Sequence, residues 1–164
     1  MVPVPLINEM CGQGDKVPPY SNKEATSDVN WESEKHIVDC LIGHKLDEET
    51  STVEFYVKWA NGKTTKEPEW ILQQDIPTLV FKYWERLGGR REATGFTSDH
   101  VFKILDVIDV FGQKKKYLVQ WVGYPASENQ VTWEEESMLR KVAQVELERF
   151  HGFRNGINRL EVTS

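Results

Sequence analysis

Three aromatic residues in the C-terminal half of the sequence have the types and spacing needed to bind an alkylated ammonium group. Phe102 opens an apolar run, and Trp121 and Tyr124 follow close together within residues 117–125. A quaternary ammonium has no N–H to donate, so hydrogen bonds cannot recognise it. Attraction between its diffuse positive charge and aromatic faces remains, at about 0.5–2 kcal/mol per ring. The three residues therefore predict an aromatic cage for a methylated lysine.

Ordinary cross-strand packing is the alternative for these rings, because aromatic residues favour strands in any case. Alternation along the strand bears on this choice. Tyr117, Val119 and Trp121 share one face and the residues between them share the other. The whole set cannot then lie in a core.

Composition and charge restrict the class of protein. The chain has 164 residues, 39% of them hydrophobic and 28% charged, which is typical of one or two globular domains. No apolar run approaches the roughly 20 residues that span a bilayer, and the N-terminus lacks the pattern of a secretory signal. A net charge of −6 argues against binding to nucleic-acid phosphates and suits a basic partner. Lys114, Lys115 and Lys116 predict a solvated turn, with nucleic-acid contact as the alternative.

Catalysis and metal binding have no support in the sequence. The two cysteines, Cys11 and Cys40, are too few for a disulfide framework and favour a reducing compartment. Histidines and cysteines lack the spacing of metal ligands. No glycine-rich phosphate loop or nucleophile elbow is present, so we predict no enzyme activity and no cofactor. A catalytic domain elsewhere in a longer parent protein stays open.

Hydrophobic periodicity predicts two similar units after a tail. Residues 1–29 are rich in proline and polar residues and predict disorder. Residues 30–90 predict strand, strand, short strand and helix, and residues 99–153 repeat that order after a linker at 91–98. Residues 154–164 form a C-terminal tail. The predicted fold class is α+β, with two small units that each comprise a curled three-stranded antiparallel sheet and a C-terminal helix.

The helix predicted in the first unit has a bulky apolar face. Pro77 is expected in its first turn, and Gly88 and Gly89 are expected to end it. The second unit predicts a helix over residues 139–150, ended by Gly152. The face of the first helix packs within the chain or forms the seam of a homodimer, and it comprises Leu79, Val80, Tyr83, Trp84 and Leu87.

Residues 99–153 resemble the chromodomain. The resemblance rests on the apolar run at 101–109, the aromatic string at 117–124, and Thr132 with Trp133 and Glu134. It implies that Phe102, Trp121 and Tyr124 form a methyl-lysine cage with Glu128 as its acidic neighbour; a solvated loop carboxylate is the alternative for Glu128.

The resemblance also implies a partner and a location. A histone H3 tail methylated on lysine 9, rather than lysine 27, would enter as an added strand beside Asp99, His100 and Val101. The protein would then be a chromatin adaptor in the nucleus. A protein–protein scaffold without methyl-lysine recognition is the alternative, and a retroelement integrase chromodomain is a further one.

The first unit is similar in altered form. Trp59 matches the strand tryptophan, but His36 and Gly62 stand where the other two rings are expected, so we predict no methyl-lysine binding there. Residues 30–32, 58–62, 68 and 77–85 instead resemble the chromoshadow domain of fungal heterochromatin proteins. That resemblance implies a unit without a cage that dimerises through its helix or holds partner peptides.

Overall fold

The computed structural model describes residues 37–109 and 111–161, with side chains as far as Arg154. Contacts within the chain divide it into two units, Met1–Leu72 and Gln73–Ser164. The tail predicted at residues 1–29 lies outside the described residues, as does His36. Each unit contains its own sheet.

The sheet of the first unit has three antiparallel strands in the order β1-β2-β3. They are β1 (Val38–Asp47), β2 (Thr52–Trp59) and β3 (Thr64–Pro68). Along β2, Val53, Phe55 and Val57 are buried and alternate with less buried residues, as a strand with one covered face requires. The β1–β2 turn is closed by Asp47, whose carboxylate accepts the N–H groups of Glu49 at 3.1 Å and Thr50 at 3.2 Å.

Three helices follow: α1 (Glu69–Asp75), α2 (Pro77–Arg86) and α3 (Arg90–Thr94). The helix predicted after Pro77 is confirmed, with the proline in its first turn. Its end is also confirmed, because Gly88 and Gly89 take φ angles of 84° and 114°, which favour glycine. The short helix α3 overlaps the segment predicted as a linker, residues 91–98.

The apolar face of α2 is already largely covered. Val80, Tyr83 and Trp84 are buried, whereas Leu79 and Leu87 are partly exposed. The Tyr83 and Trp84 rings meet edge to face with centroids 5.2 Å apart. Burial raises the pKa of Tyr83 to about 12.

The second unit repeats the sheet order, as β4-β5-β6, with all pairs antiparallel. Its strands are β4 (Val101–Ile108), β5 (Lys116–Trp121) and β6 (Thr132–Glu135), and α4 (Glu136–Val142) and α5 (Gln144–Glu161) follow. Two three-stranded antiparallel sheets, each followed by helices, confirm the predicted α+β class.

The single helix predicted over 139–150 is wrong in two respects. The chain forms two helices that meet at Ala143, where φ is −149°. The second continues through Gly152 into the segment predicted as a tail. An isolated glycine costs a helix only about 1 kcal/mol relative to alanine, so it does not end one by itself.

The core of the second unit lies between its sheet and the helices α4 and α5. Tyr117 is fully buried there, and its ring meets Phe150 edge to face at 6.0 Å. Its hydroxyl donates to Glu136 at 3.3 Å. The buried cluster comprises Ile104, Tyr117, Val119, Leu139, Ala143 and Leu147.

Cys40 lies buried in β1 and is disulfide-bonded. The low cysteine count favours a reducing compartment, where disulfides are rare. The bond at Cys40 differs from the absence of disulfides that this interpretation favours. Cys11 lies outside the described residues.

Within the described residues, no helix combines the length and apolar character needed to cross a membrane. Across the same residues, no group of three or more His, Cys, Asp or Glu side chains could hold a metal ion.

Candidate functional site

A bulge in β4 places Phe102 next to Trp121. Val101 stands opposite Trp121 and Lys103 stands opposite Gln120, so Phe102 is the extra residue between two consecutive partners. A bulge bends its strand and re-aims a side chain. Phe102 is partly buried at this point. The register therefore brings the first predicted ring to the end of β5 that carries the second.

Trp121 and Tyr124 are held in one tight turn. The N–H of Tyr124 donates to the carbonyl oxygen of Trp121 at 3.2 Å. Gly123 takes a φ of 85° within this turn, a conformation that a side chain would strain. Both aromatic residues are only partly buried, and Trp121 also packs against the buried core cluster of the second unit. All three predicted rings thus belong to one end of the β4–β5 pair.

A hydrogen-bonded relay fixes the indole of Trp121. Its Nε1–H donates to the hydroxyl of Thr132 at 3.0 Å, and that hydroxyl donates to Glu134 at 2.7 Å. In the sequence, Thr132 and Glu134 stand out only as part of a motif, and their role in holding the indole is not predicted. The signal was present, because residues two apart in a strand share one face.

Glu128, the predicted acidic neighbour, is exposed in the loop after the turn. The loop is closed locally, with the N–H of Gln130 donating to Ser127 at 2.9 Å. The carboxylate linked to Trp121 by hydrogen bonds is that of Glu134, through Thr132.

Asp99, His100 and Val101 continue the edge of the sheet. The N–H of Val122 donates to the carbonyl of His100 at 2.9 Å, and Val101 pairs with Trp121. In the described part of the chain, β4 is an outer strand of its sheet. The segment predicted to pair with a peptide is therefore an ordered edge beside Trp121.

A buried arginine joins this edge to the third ring. The Arg90 side chain is 1% exposed and donates to Asp99 at 3.0 Å. It also hydrogen-bonds to Tyr124. Burial, and then the charge of Asp99, raise the pKa of Tyr124, while Arg90 and Arg91 act against the rise. Tyr124 is thus a neutral phenol.

Gln73 holds the turn from a distance of 50 residues in sequence. It is buried, and its Oε1 accepts the N–H of Gly123 at 2.6 Å. Its Nε2 donates to the carbonyls of Trp121 at 3.2 Å and Tyr124 at 3.3 Å. Gln120 adds a second donor to the Tyr124 carbonyl at 2.9 Å. No local pattern in the sequence marks Gln73.

The sheet of the first unit has the same hydrogen-bonded relay but lacks the other two rings. Trp59 donates to Thr65 at 2.8 Å, and Thr65 donates to Glu67 at 2.6 Å. Val38 stands opposite Trp59 and Cys40 opposite Lys58, so the bulged residue is Asp39. The register therefore assigns Asp39, rather than His36, to the position that Phe102 occupies in the second sheet.

The turn after Trp59 gives a similar comparison. The N–H of Gly62 donates to the carbonyl of Trp59 at 2.9 Å, as Tyr124 does to Trp121. The site of the third ring is thus a glycine, as the sequence predicts. The first sheet has one ring and a carboxylate where the second has three rings.

Two of the three lysines of the β4–β5 hairpin, Lys114 and Lys115, are paired with acids. Lys114 lies 3.0 Å from Glu135, and Lys115 lies 2.9 Å from Asp109. Hydrogen bonding to Asp109 is the main cause that raises the pKa of Lys115. This pairing favours the solvated turn over a surface for nucleic acid.

Comparison with known proteins gives one family. Residues 100–152 match the family model of the Chromo (CHRromatin Organisation MOdifier) domain, and no curated protein matches the chain. The match supports the chromodomain superfamily for this segment, which is less than half of the chain. Such domains are chromatin-associated binding modules for methylated histone tails rather than enzymes. The matched segment contains the three rings and Glu128 but begins after Gln73, Arg90 and Asp99.

Proposed function

We propose that residues 99–153 form a reader of methylated lysine on a histone H3 tail, with Phe102, Trp121 and Tyr124 as the cage. The observation that carries this proposal is the register of the β4–β5 pair. It sets Phe102 beside Trp121, and the turn adds Tyr124 at the same end of the sheet. Rings that are partly exposed at a strand end are available to a ligand, unlike the buried Tyr117.

The tail would bind as an added strand along Asp99, His100 and Val101. This edge of β4 is ordered and outermost among the described strands, as strand addition requires. A net charge of −6 favours the approach of a basic tail. Glu128 would add attraction and accept a hydrogen bond from a dimethylammonium group, which keeps one N–H; Glu128→Gln should therefore weaken binding of a dimethylated peptide more than that of a trimethylated one.

Lysine 9 of histone H3, in preference to lysine 27, is the proposed site, and chromatin in the nucleus is the proposed location. Both follow from the chromodomain resemblance. Because the tail is disordered before it binds, ordering it consumes part of the interaction energy. We expect a free energy of binding of about −7 to −8 kcal/mol, near micromolar affinity.

Calorimetric titration with trimethylated, dimethylated and unmethylated peptides tests the proposal. The full chain should bind the methylated peptides at least about ten-fold more tightly than the unmethylated one, a difference of about 1.4 kcal/mol. Trp121→Ala should remove most of this preference, because it deletes a cage wall.

Trp59→Ala is the matched control, since Trp59 makes the same relay in a sheet that lacks the other rings. It should leave the titration unchanged. Equal affinity of the wild-type chain for methylated and unmethylated peptides would refute the cage.

For residues 30–90 we propose an altered, cage-free copy of the same unit, used for dimerisation or for contact with other proteins. Two observations support it: the shared relay and bulge, and the replacement of two ring positions by Asp39 and Gly62. Sedimentation equilibrium distinguishes a dimer from a monomer that binds other partners.

A further inference from the structure

We infer that Gln73 is a positioning residue of the proposed methyl-lysine site, acting from outside the segment that matches the chromo family. Its carboxamide holds the turn on which Trp121 and Tyr124 are mounted. The inference rests on the proposed function and deepens it, because it assigns part of the site to the helical segment before β4.

Both the oxygen and the nitrogen of the Gln73 side chain form hydrogen bonds with the turn. A carboxamide offers one acceptor oxygen and two N–H donors. The oxygen accepts from Gly123 at 2.6 Å, and the nitrogen donates to Trp121 at 3.2 Å and Tyr124 at 3.3 Å. Glutamate cannot donate when ionised, and leucine can do neither. Only a side chain with both functions and this length satisfies the three backbone groups.

Because Gln73 is buried, losing its hydrogen bonds would be costly. Gln73 is 2% exposed, so water does not readily replace its side chain. Backbone groups left without a partner in a buried place are costly, and the turn would shift to find others. A shift of this turn moves two rings of the cage together, while Phe102, on β4, stays where it is. The spacing of the three rings would then change.

The corresponding turn of the first sheet has a hydrogen-bond pattern of its own. After Trp59 the chain closes on itself, because Asn61 accepts the N–H of Lys63 at 3.0 Å and Lys63 accepts that of Trp59 at 2.9 Å. That turn carries no second ring. The turn that does is held by Gln73, and its tyrosine hydroxyl is bonded to Arg90. Both partners precede the matched segment.

Gln73→Leu in the full chain tests the inference, with Gln74→Leu as the matched control. Gln74 is the next residue of α1, has the same side chain and is exposed. We expect Gln73→Leu to weaken binding of a trimethylated H3 peptide about ten-fold while the weak binding of the unmethylated peptide stays the same. Gln74→Leu should bind both as the wild type does. Unchanged binding by a folded Gln73→Leu variant would overturn the inference.

A second variant separates positioning from a loss of folding. Gln73→Glu keeps the acceptor for Gly123 but has no donor until the carboxyl is protonated. Its affinity for the trimethylated peptide, relative to the wild type, should therefore recover as the pH falls from about 7 to 5, because burial raises a carboxyl pKa. Because protonation would also relieve a folding defect caused by the buried charge, the free energy of unfolding is measured at the same pH values. Recovery of affinity in a variant that is already folded at pH 7 supports positioning, and an affinity ratio that falls or stays constant as the pH falls would contradict it.

Nuclear magnetic resonance distinguishes failure of this inference from failure of the proposed function. If the wild-type chain binds no methylated peptide, the reader function fails. The Gly123 amide and Trp121 indole resonances should still shift in Gln73→Leu and not in Gln74→Leu. If neither resonance moves, the role of Gln73 is refuted whatever the peptide does.

Discussion

Trp121 is held at both its backbone and its ring. Gln73 bonds to its carbonyl, and Thr132 accepts its indole N–H. Cation–π attraction depends on the direction of the ring face, so a hydrogen bond at the ring edge that prevents rotation contributes to affinity without touching the ligand.

Removing the Thr132 hydroxyl should therefore weaken binding. Thr132→Val keeps the shape but leaves the indole N–H of Trp121 without its acceptor. Affinity for a trimethylated peptide should fall about three- to ten-fold, in line with one hydrogen bond of about 0.5–1.5 kcal/mol. Isothermal calorimetry measures this change.

Thr65→Val is the control for this variant, because Thr65 makes the same bond to Trp59 in the first sheet. Thr65→Val should destabilise the first unit about as much as Thr132→Val destabilises the second, and it should leave peptide affinity unaltered. Equal losses of affinity in the two variants would show that the relay does not act through the cage.

The sequence is informative about single residues where the cause is local. Phe102, Trp121 and Tyr124 could be proposed from type and spacing, and the register and turn are consistent with them. Gln73 could not, because its partners lie 48 to 51 residues away and no local pattern in the sequence marks it. Asp39 was missed because the bulge in β1 changes the count along the strand.

At the scale of elements, local stop and start signals predict the boundaries well. Pro77 at the start of α2 and Gly88 and Gly89 after it act through fixed or unusual φ angles, which need no tertiary context. Gly152 failed as a stop because α5 continues through it. The bulges of β1 and β4 depend on pairing with another strand, so no single-strand pattern predicts them.

Strand β1 contains a titratable group that links folding to pH. Burial lowers the pKa of His44 below its usual value of 6.5. The unfolded chain then binds more protons than the folded one once the pH falls below 6.5, so stability present above 6.5 is lost as pH falls toward the lowered pKa.

Denaturant unfolding followed by tryptophan fluorescence should detect this loss. The free energy of unfolding should decline between about pH 7 and 5 in the wild type, and His44→Gln should flatten that decline. A decline of the same size in His44→Gln would assign the pH dependence to other groups.

At the scale of the whole molecule, part of the apolar face of α2 is left exposed and could contact a second chain. Val80, Tyr83 and Trp84 are buried within the single chain. A homodimer seam would therefore have to be built on the partly exposed Leu79 and Leu87.

Sedimentation equilibrium of Leu79→Lys combined with Leu87→Lys tests the proposed dimer. The wild type should sediment with the mass of two chains and the double variant with the mass of one, because two lysines cannot be buried without partners. Thr78→Lys, at an exposed position of the same helix, should remain dimeric. If the wild type sediments with the mass of one chain, the homodimer is refuted and the apolar face of α2 packs only within the chain.

The bulges of β4 have a consequence for how much the hairpin tip can vary. A strand that slides by one residue exchanges its two faces. Two irregular steps in the β4–β5 ladder, with the Val122 to His100 bond beyond its end, resist such slippage. Insertions or deletions at residues 109–115 should therefore be absorbed at the tip, at the opposite end of the ladder from Phe102 and Trp121, so that loop length and ligand recognition can evolve independently.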